Sequence, residues 1–375
     1  MNLLFCCGDF YPNAGGATTL VDDLAVALLA GGHEVTVLTR RHPGLARSER
    51  YHGYDIERLE YPLPYEKLAW ERFGRVRSAR VLLRVSRLIR ERKIETVCIG
   101  LLDMSAWYIL WLRHVLKFRL VVYLHGGETR ALPAREPSYA ALLRAALKAA
   151  DAVVAVSEQL RVEAGQFVAE AMPKIEVIVN AIDLRHVRAE QSLVHPRPYI
   201  AAVGRLVWEK DFVTLIHAYA AVQREIGAVD LILAGAGKQE FMLRRIAAEC
   251  IRPERVIFLG RTEREQSLAV MKGSMFVALP SVTEGFPIVA VEALAVGKPI
   301  VGSRIPGIEA VVEDGKQGNL FTPGNVAELS HWLRTYCLDS EHRQRMTEGA
   351  AQINLDSYDM SVAVEKHLRV FRRDR

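Results

Sequence analysis

Two carboxylates bracket the start of an apolar helix pattern in Ser281-Val282-Thr283-Glu284-Gly285-Phe286-Pro287-Ile288-Val289-Ala290-Val291-Glu292. Gly285 can adopt backbone angles denied to other residues, Pro287 suits a first helical turn, and Gly297 before Lys298-Pro299 supplies a stop. Glu284 is therefore expected in the leading loop and Glu292 inside the helix. A helix starting there leaves the N–H groups of Gly285, Phe286 and Ile288 without intrahelical partners, a setting that suits a phosphate. Carboxylates beside it can accept hydrogen bonds from sugar hydroxyls. Taken alone, the same pattern describes a capped core helix with one glutamate turned to water, so the surroundings must decide.

Basic and glycine-rich positions recur after other apolar runs. Arg205 offers a planar fork of donors and Lys210 a compact charge, a pair that suits a diphosphate without a metal; no D-x-D pair accompanies them. Gly15-Gly16 permits close backbone approach before a helix N-terminus, His125 stands in Leu124-His125-Gly126-Gly127-Glu128, and Arg261 follows Leu259-Gly260. Each has a plain structural reading as a turn, a strand-end residue or a surface charge.

The elements that must position these residues alternate apolar strand runs with helical patterns, the signature of parallel α/β sheets. Strands are predicted at Leu3 to Cys7, Glu34 to Thr39, Thr96 to Ile99, Leu120 to Leu124, Ala152 to Val156 and Ile175 to Val179. A second set is predicted at Ile200 to Val203, Asp230 to Ala234, Val256 to Leu259, Met275 to Ala278 and Pro299 to Val301. The join is expected between Leu184 and Pro198, which makes two Rossmann-like, doubly wound domains over 1–190 and 197–357. Ligands of open parallel sheets gather beyond the carboxyl ends of the strands, and those ends carry Gly15-Gly16, His125, Arg205, Gly235 and Glu284.

Several function classes recede on composition. At 375 residues the chain suits two cores; half of it is hydrophobic and a quarter charged. No apolar run reaches the roughly 18 residues of a spanning helix, and Met1-Asn2-Leu3-Leu4-Phe5 leads into a strand instead of a signal peptide, so a cytoplasmic protein is expected. Five cysteines without a C-x-x-C pair argue against a disulfide framework and a zinc site. The net charge of +5 is uneven. Arg72, Arg75, Arg77, Arg80, Arg84, Arg87, Arg90, Arg92 and Lys93 face only Glu91 in one helical stretch, with Val76, Val81, Leu82, Leu83, Val85, Leu88 and Ile89 interleaved. Such a helix is a solvated face or a rest on anionic membrane, on the inner side of the cell membrane; with no nucleic-acid module beside it, no nucleic-acid partner is expected.

In order along the chain, Val203-Gly204-Arg205-Leu206 with Lys210, Leu233-Ala234-Gly235-Ala236-Gly237, Phe258-Leu259-Gly260-Arg261, the Glu284 to Glu292 segment, Gly297-Lys298-Pro299-Ile300-Val301 and Ile305-Pro306-Gly307-Ile308-Glu309 resemble the motifs of family-4 retaining glycosyltransferases of the GT-B fold. The likeness covers nearly the whole chain and is most specific in the C-terminal half. It implies two domains facing a central cleft, with a last helix from Tyr358 to Arg375 crossing back to the first. It implies no cofactor, a UDP-sugar or GDP-sugar donor, and a sugar, glycolipid or small-molecule acceptor, in surface polysaccharide or glycolipid synthesis. Arg205 and Lys210 would hold the donor diphosphate, Glu292 the ribose, Glu284 and His125 the sugar, Arg261 the base through its backbone, and Gly15, Gly16, Gly285, Phe286, Pro287 and Ile288 the phosphates and sugar. Trp107-Tyr108 and Trp111 hint at an acceptor surface. A nucleotide-sugar epimerase or hydrolase, or a non-catalytic partner subunit, are the rival readings. One departure from the family pattern is Asn180-Ala181-Ile182-Asp183, with alanine where glycine is usual.

Overall fold

A computed structural model describes residues 1–12, 16–61, 75–126, 129, 133–134, 136–250 and 252–372. They form two compact units, Met1–Ala181 with Met360–Arg375, and Ile182–Asp359.

The first unit is built on an eight-stranded sheet in the order β3-β4-β2-β1-β5-β6-β7-β8. The strands are β1 (Asn2–Cys7), β2 (Glu34–Arg40), β3 (Ser48–Tyr51), β4 (Tyr54–Leu59), β5 (Thr96–Leu101), β6 (Arg119–Leu124), β7 (Ala152–Ala155) and β8 (Ile175–Val177). All neighbours pair parallel except β3 and β4. The hairpin β3–β4 was not foreseen. Its two-residue turn has positive φ at both His52 (44°) and Gly53 (93°), the conformation that matches strand twist. Charged residues mask β4 as a strand, because Arg58 points inward: fully buried, it donates to Glu49 at 2.6 Å and to the Tyr11 carbonyl at 2.9 Å.

The helix Met360–Phe371 belongs to this unit. Met360, Ala363, Val370 and Phe371 enter the same core as Phe5, with the Phe5 and Phe371 rings edge to face at 6.1 Å. Arg119 Nε and Thr96 Oγ1 donate to the carbonyls of Val370 and Phe371 at 2.7 and 3.2 Å, satisfying groups that a helix end leaves open.

The second unit carries six parallel strands in the order β11-β10-β9-β12-β13-β14. They are β9 (Tyr199–Val203), β10 (Asp230–Ala234), β11 (Val256–Gly260), β12 (Phe276–Leu279), β13 (Ile300–Ser303) and β14 (Gly318–Phe321). From β9 the chain winds outward through β10 and β11, then returns to the other side of β9 as β12. The reversal point therefore lies between β9 and β12, where such sheets bind ligands. Also unforeseen, β14 starts at Gly318, where a Cβ would stand 2.0 Å from the Ile300 carbonyl oxygen.

The boundary between units falls earlier than expected, at Ala181/Ile182 in place of a join between residues 184 and 198. Residues 182–190 go with the second unit for a local reason. Asp183 caps the helix Leu184–Ala189 by accepting from His186 N–H, and Lys272 Nζ ties down the carbonyls of Arg188 and Glu190 at 2.9 and 2.6 Å.

Candidate functional site

At the reversal point of the second sheet, two loops pack backbone against backbone. Gly204 (φ 150°) and Gly235 (φ 144°) have left-handed angles, and a Cβ on Gly235 would lie 1.9 Å from the Gly204 carbonyl oxygen. Leu206 N–H bonds to the Ala236 carbonyl at 3.0 Å and Gln239 N–H to the Leu206 carbonyl at 2.9 Å. Between these anchors Arg205 is exposed, and its side chain has no partner among the described residues. The chain then turns through Trp208–Lys210 into Asp211 (φ 44°, ψ 43°), which caps the helix Phe212–Val222 through Thr214.

The loop after β12 meets that turn directly. Val282 N–H bonds to the Glu209 carbonyl at 2.9 Å, and Lys210 Nζ pairs with Glu284 Oε1. Buried Ser281 donates its hydroxyl to the same oxygen at 2.7 Å. A Cβ on Gly307 would come within 2.7 Å of the Glu284 carbonyl oxygen, so the helix Pro306–Glu309 lies against the Glu284 backbone. Glu284 is thus held at one oxygen by a cation and a hydroxyl, with its Oε2 bonded to no described residue.

Pro287 precedes the helix Ile288–Ala295. The N–H groups of Gly285 and Phe286 make no hydrogen bond to a described residue. Ile288, expected to offer a third, does not: its N–H donates to the Phe286 carbonyl at 3.2 Å, because the chain tightens as it enters the helix. The Phe286 ring is buried and packs on Tyr358 at 5.7 Å.

Glu292 sits in mid-helix among buried Ala290, Val291, Ala293 and Leu294, with 9% of its side chain exposed. Arg264 Nε donates to its Oε1 at 3.1 Å. Arg264 opens the helix Arg264–Gly273 behind a capping box of Glu263 and Gln266. Sequence reasoning missed both Arg264 and Ser281. A signal for Arg264 existed: a cation in a helix's first turn opposes the macrodipole and calls for a counter-ion. Arg261, after Gly260 (φ 71°), is exposed.

In the first unit, Gly16 opens the helix Gly16–Ala30, while Gly15 lies outside the described residues. His125 follows β6 and donates from Nε2 to the Gly100 carbonyl at 2.7 Å. Its ring is parallel to Tyr123 (6.0 Å, 13°), and Tyr123 stacks on His367 of the last helix (5.7 Å, 10°). Burial pushes the His367 imidazole down to about 4, so that ring is uncharged at neutral pH. Asp103, beyond β5, is raised by burial, yet its Oδ1 accepts from Ser105 N–H at 3.0 Å and from the Ser105 hydroxyl, a turn-forming role.

The basic helix runs Arg75–Glu91, and Arg72 lies outside the described residues. Val81, Val85 and Ile89 are buried, so much of its apolar side is taken up by the unit's core. Outward it presents Arg77, Arg80, Arg84, Arg87 and Arg90 with Val76 and the 69% exposed Leu83.

Comparison with known proteins gives a consistent picture. The sequence profile "Glycosyl transferases group 1" matches residues 185–353, and "Glycosyltransferase Family 4" matches residues 14–186. The N-acetyl-alpha-D-glucosaminyl L-malate synthase of Bacillus anthracis is 23% identical over 96% of this chain and 94% of its own length. Sucrose-phosphate synthase from Thermosynechococcus elongatus superposes with a TM-score of 0.81 at 21% identity, over 99% of this chain and 98% of that one. HepE of Anabaena, solved with UDP-glucose, gives 0.78 at 22% identity, over 98% of each chain.

Proposed function

This chain belongs to the family-4, group 1 glycosyltransferases, and from that premise we propose that it moves a hexosyl unit from a UDP- or GDP-sugar to a hydroxyl acceptor with retention and without a metal. The observation that carries this reading is the grouping of Arg205, Lys210, Glu284 and two open backbone N–H groups at the reversal point of the second sheet.

Breaking the bond from the anomeric carbon to the diphosphate leaves negative charge on phosphate and positive charge on the sugar. Arg205, Lys210 and the amides of Gly285 and Phe286 suit the departing phosphates. In this reading Lys210 moves from Glu284 to the phosphates, which releases Glu284 Oε1 for a sugar hydroxyl; Ser281 keeps that carboxylate in place. We assign Glu292 to the ribose hydroxyls and His125 to the donor sugar. We assign acceptor choice to residues outside the donor motifs, a reading that the differing names of the L-malate synthase and the sucrose-phosphate synthase support. We favour a glycan or glycolipid acceptor. No helix among the described residues is long and apolar enough to cross a membrane. The arginine edge of Arg75–Glu91 would reach anionic lipid by charge, with Val76 and Leu83 as its exposed apolar contacts.

The test is a screen of UDP- and GDP-sugars for nucleotide release in excess chelator, with the anomeric configuration of the product read by NMR. Release in chelator with an unchanged anomeric configuration supports the reading. Activity that vanishes in chelator and returns with magnesium or manganese, or an inverted product, contradicts it.

A further inference from the structure

We propose that Arg264 is a positioning residue for nucleotide recognition: it fixes the Glu292 carboxylate so that the enzyme can distinguish a ribose from a deoxyribose. This rests on the assignment of Glu292 to the ribose.

Three features of the pair converge. Glu292 is nearly buried and flanked on its own helix by apolar residues that are buried too. A carboxylate in that setting is ionised only if a cation or several donors compensate for lost water, and Arg264 supplies one at 3.1 Å. Arg264 Nε donates to Glu292 Oε1, a directional charge-assisted bond that fixes the orientation of the carboxylate. Arg264 itself is placed at a cost, because the first turn of a helix repels a cation. Its own helix is already capped by Glu263 and Gln266, so helix stability does not explain it.

Arg264 also connects two parts of the site. It leaves the same strand-end turn that carries Gly260 and Arg261, on the β11 side of the sheet, and reaches the helix that follows β12. The loop assigned to the base and the carboxylate assigned to the ribose are therefore joined by one ion pair. Rotation of Glu292 away from Arg264 would misplace the acceptor that ribose hydroxyls need, while leaving the phosphate contacts of Arg205 and Lys210 untouched.

The test is calorimetric binding of UDP (or GDP, whichever the wild type prefers) and its 2′-deoxy and 3′-deoxy counterparts to wild type, Arg264→Gln, Arg264→Lys and Glu292→Gln. A hydrogen bond to a charged group sets the expected wild-type preference for the ribonucleotide at roughly ten- to a hundredfold for at least one hydroxyl. Arg264→Gln should shrink that preference to within about threefold of unity, as Glu292→Gln does, with deoxynucleotide affinity nearly unchanged; Arg264→Lys should restore part of it. A merely structural role would weaken ribo- and deoxynucleotide alike and leave the ratio intact, and that result overturns the proposal. If the ratio collapses in Glu292→Gln but survives in Arg264→Gln, the ribose assignment stands and only the role of Arg264 falls. If the wild type shows no ratio, the ribose assignment falls and takes the proposal with it.

Discussion

Asp230 and Glu284 are both carboxylates of the second unit paired with cations, and they are satisfied in opposite ways. Asp230, with no exposed surface, accepts from His195 Nε2 at 2.7 Å, Arg197 Nε at 2.9 Å and Arg255 Nη1 at 3.3 Å, so donors reach both of its oxygens. Glu284 is 14% exposed, and its partners Lys210 and Ser281 share one oxygen. The first arrangement consumes every acceptor position and holds the start of β10 to its neighbours. The second keeps a carboxylate oxygen and a displaceable ammonium at the mouth of the sheet. Charge pairing alone does not separate structure from function; the share of hydrogen-bonding capacity left over does.

Removing one member of each ion pair separates the two roles. Lys210→Ala and Arg205→Ala should each lower transfer by about a hundred- to a thousandfold, as expected when a donor to developing charge is lost, with unfolding midpoints close to wild type. Asp230→Ala strands the largely buried Arg255 without its carboxylate and should cost about 3–5 kcal/mol of stability while the folded fraction keeps its turnover. Measuring kcat and the denaturation midpoint on the same preparations tests both halves. A Lys210→Ala variant that unfolds as readily as Asp230→Ala would erase the distinction.

A smaller effect is expected where charges are exposed and weakly paired. On the helix Arg75–Glu91, Arg84 and Arg87 stand 3.8 Å from Glu57 and Glu91. Changing Arg80, Arg84 and Arg87 to glutamine should reduce sedimentation with anionic vesicles at low salt, at about 1 kcal/mol per charge, with donor binding unchanged. Wild-type protein that ignores such vesicles would leave this face simply solvated.

Much of this was legible in the residues. Buried parallel strands leave near-continuous apolar runs, so β1, β9 and β10 stood out, and the strand-end rule then selected Arg205 and Glu284. The hairpin β3–β4 stayed hidden because its pattern is broken by charges, one of them the inward Arg58. The unit boundary shifted because Asp183 caps the short helix after it and Lys272, 84 residues beyond Arg188, ties that helix's end to the second unit. Ile288 was misjudged because a helix that starts with a tight turn uses an N–H that an ideal helix leaves open. Arg264 was missed because its partner Glu292, 28 residues on, comes beside it only when strands β11 and β12 are placed in space. Ser281 stands three residues before Glu284, so its signal lay within the loop sequence itself.

The most direct test of the central claim is a structure of the protein with the nucleoside diphosphate of its donor bound. The diphosphate is expected beyond the ends of β9 and β12, with Arg205 and the amides of Gly285 and Phe286 upon it and Lys210 Nζ moved from Glu284 to a phosphate oxygen. A nucleotide bound elsewhere, or bound there while Lys210 stays on Glu284, would contradict it.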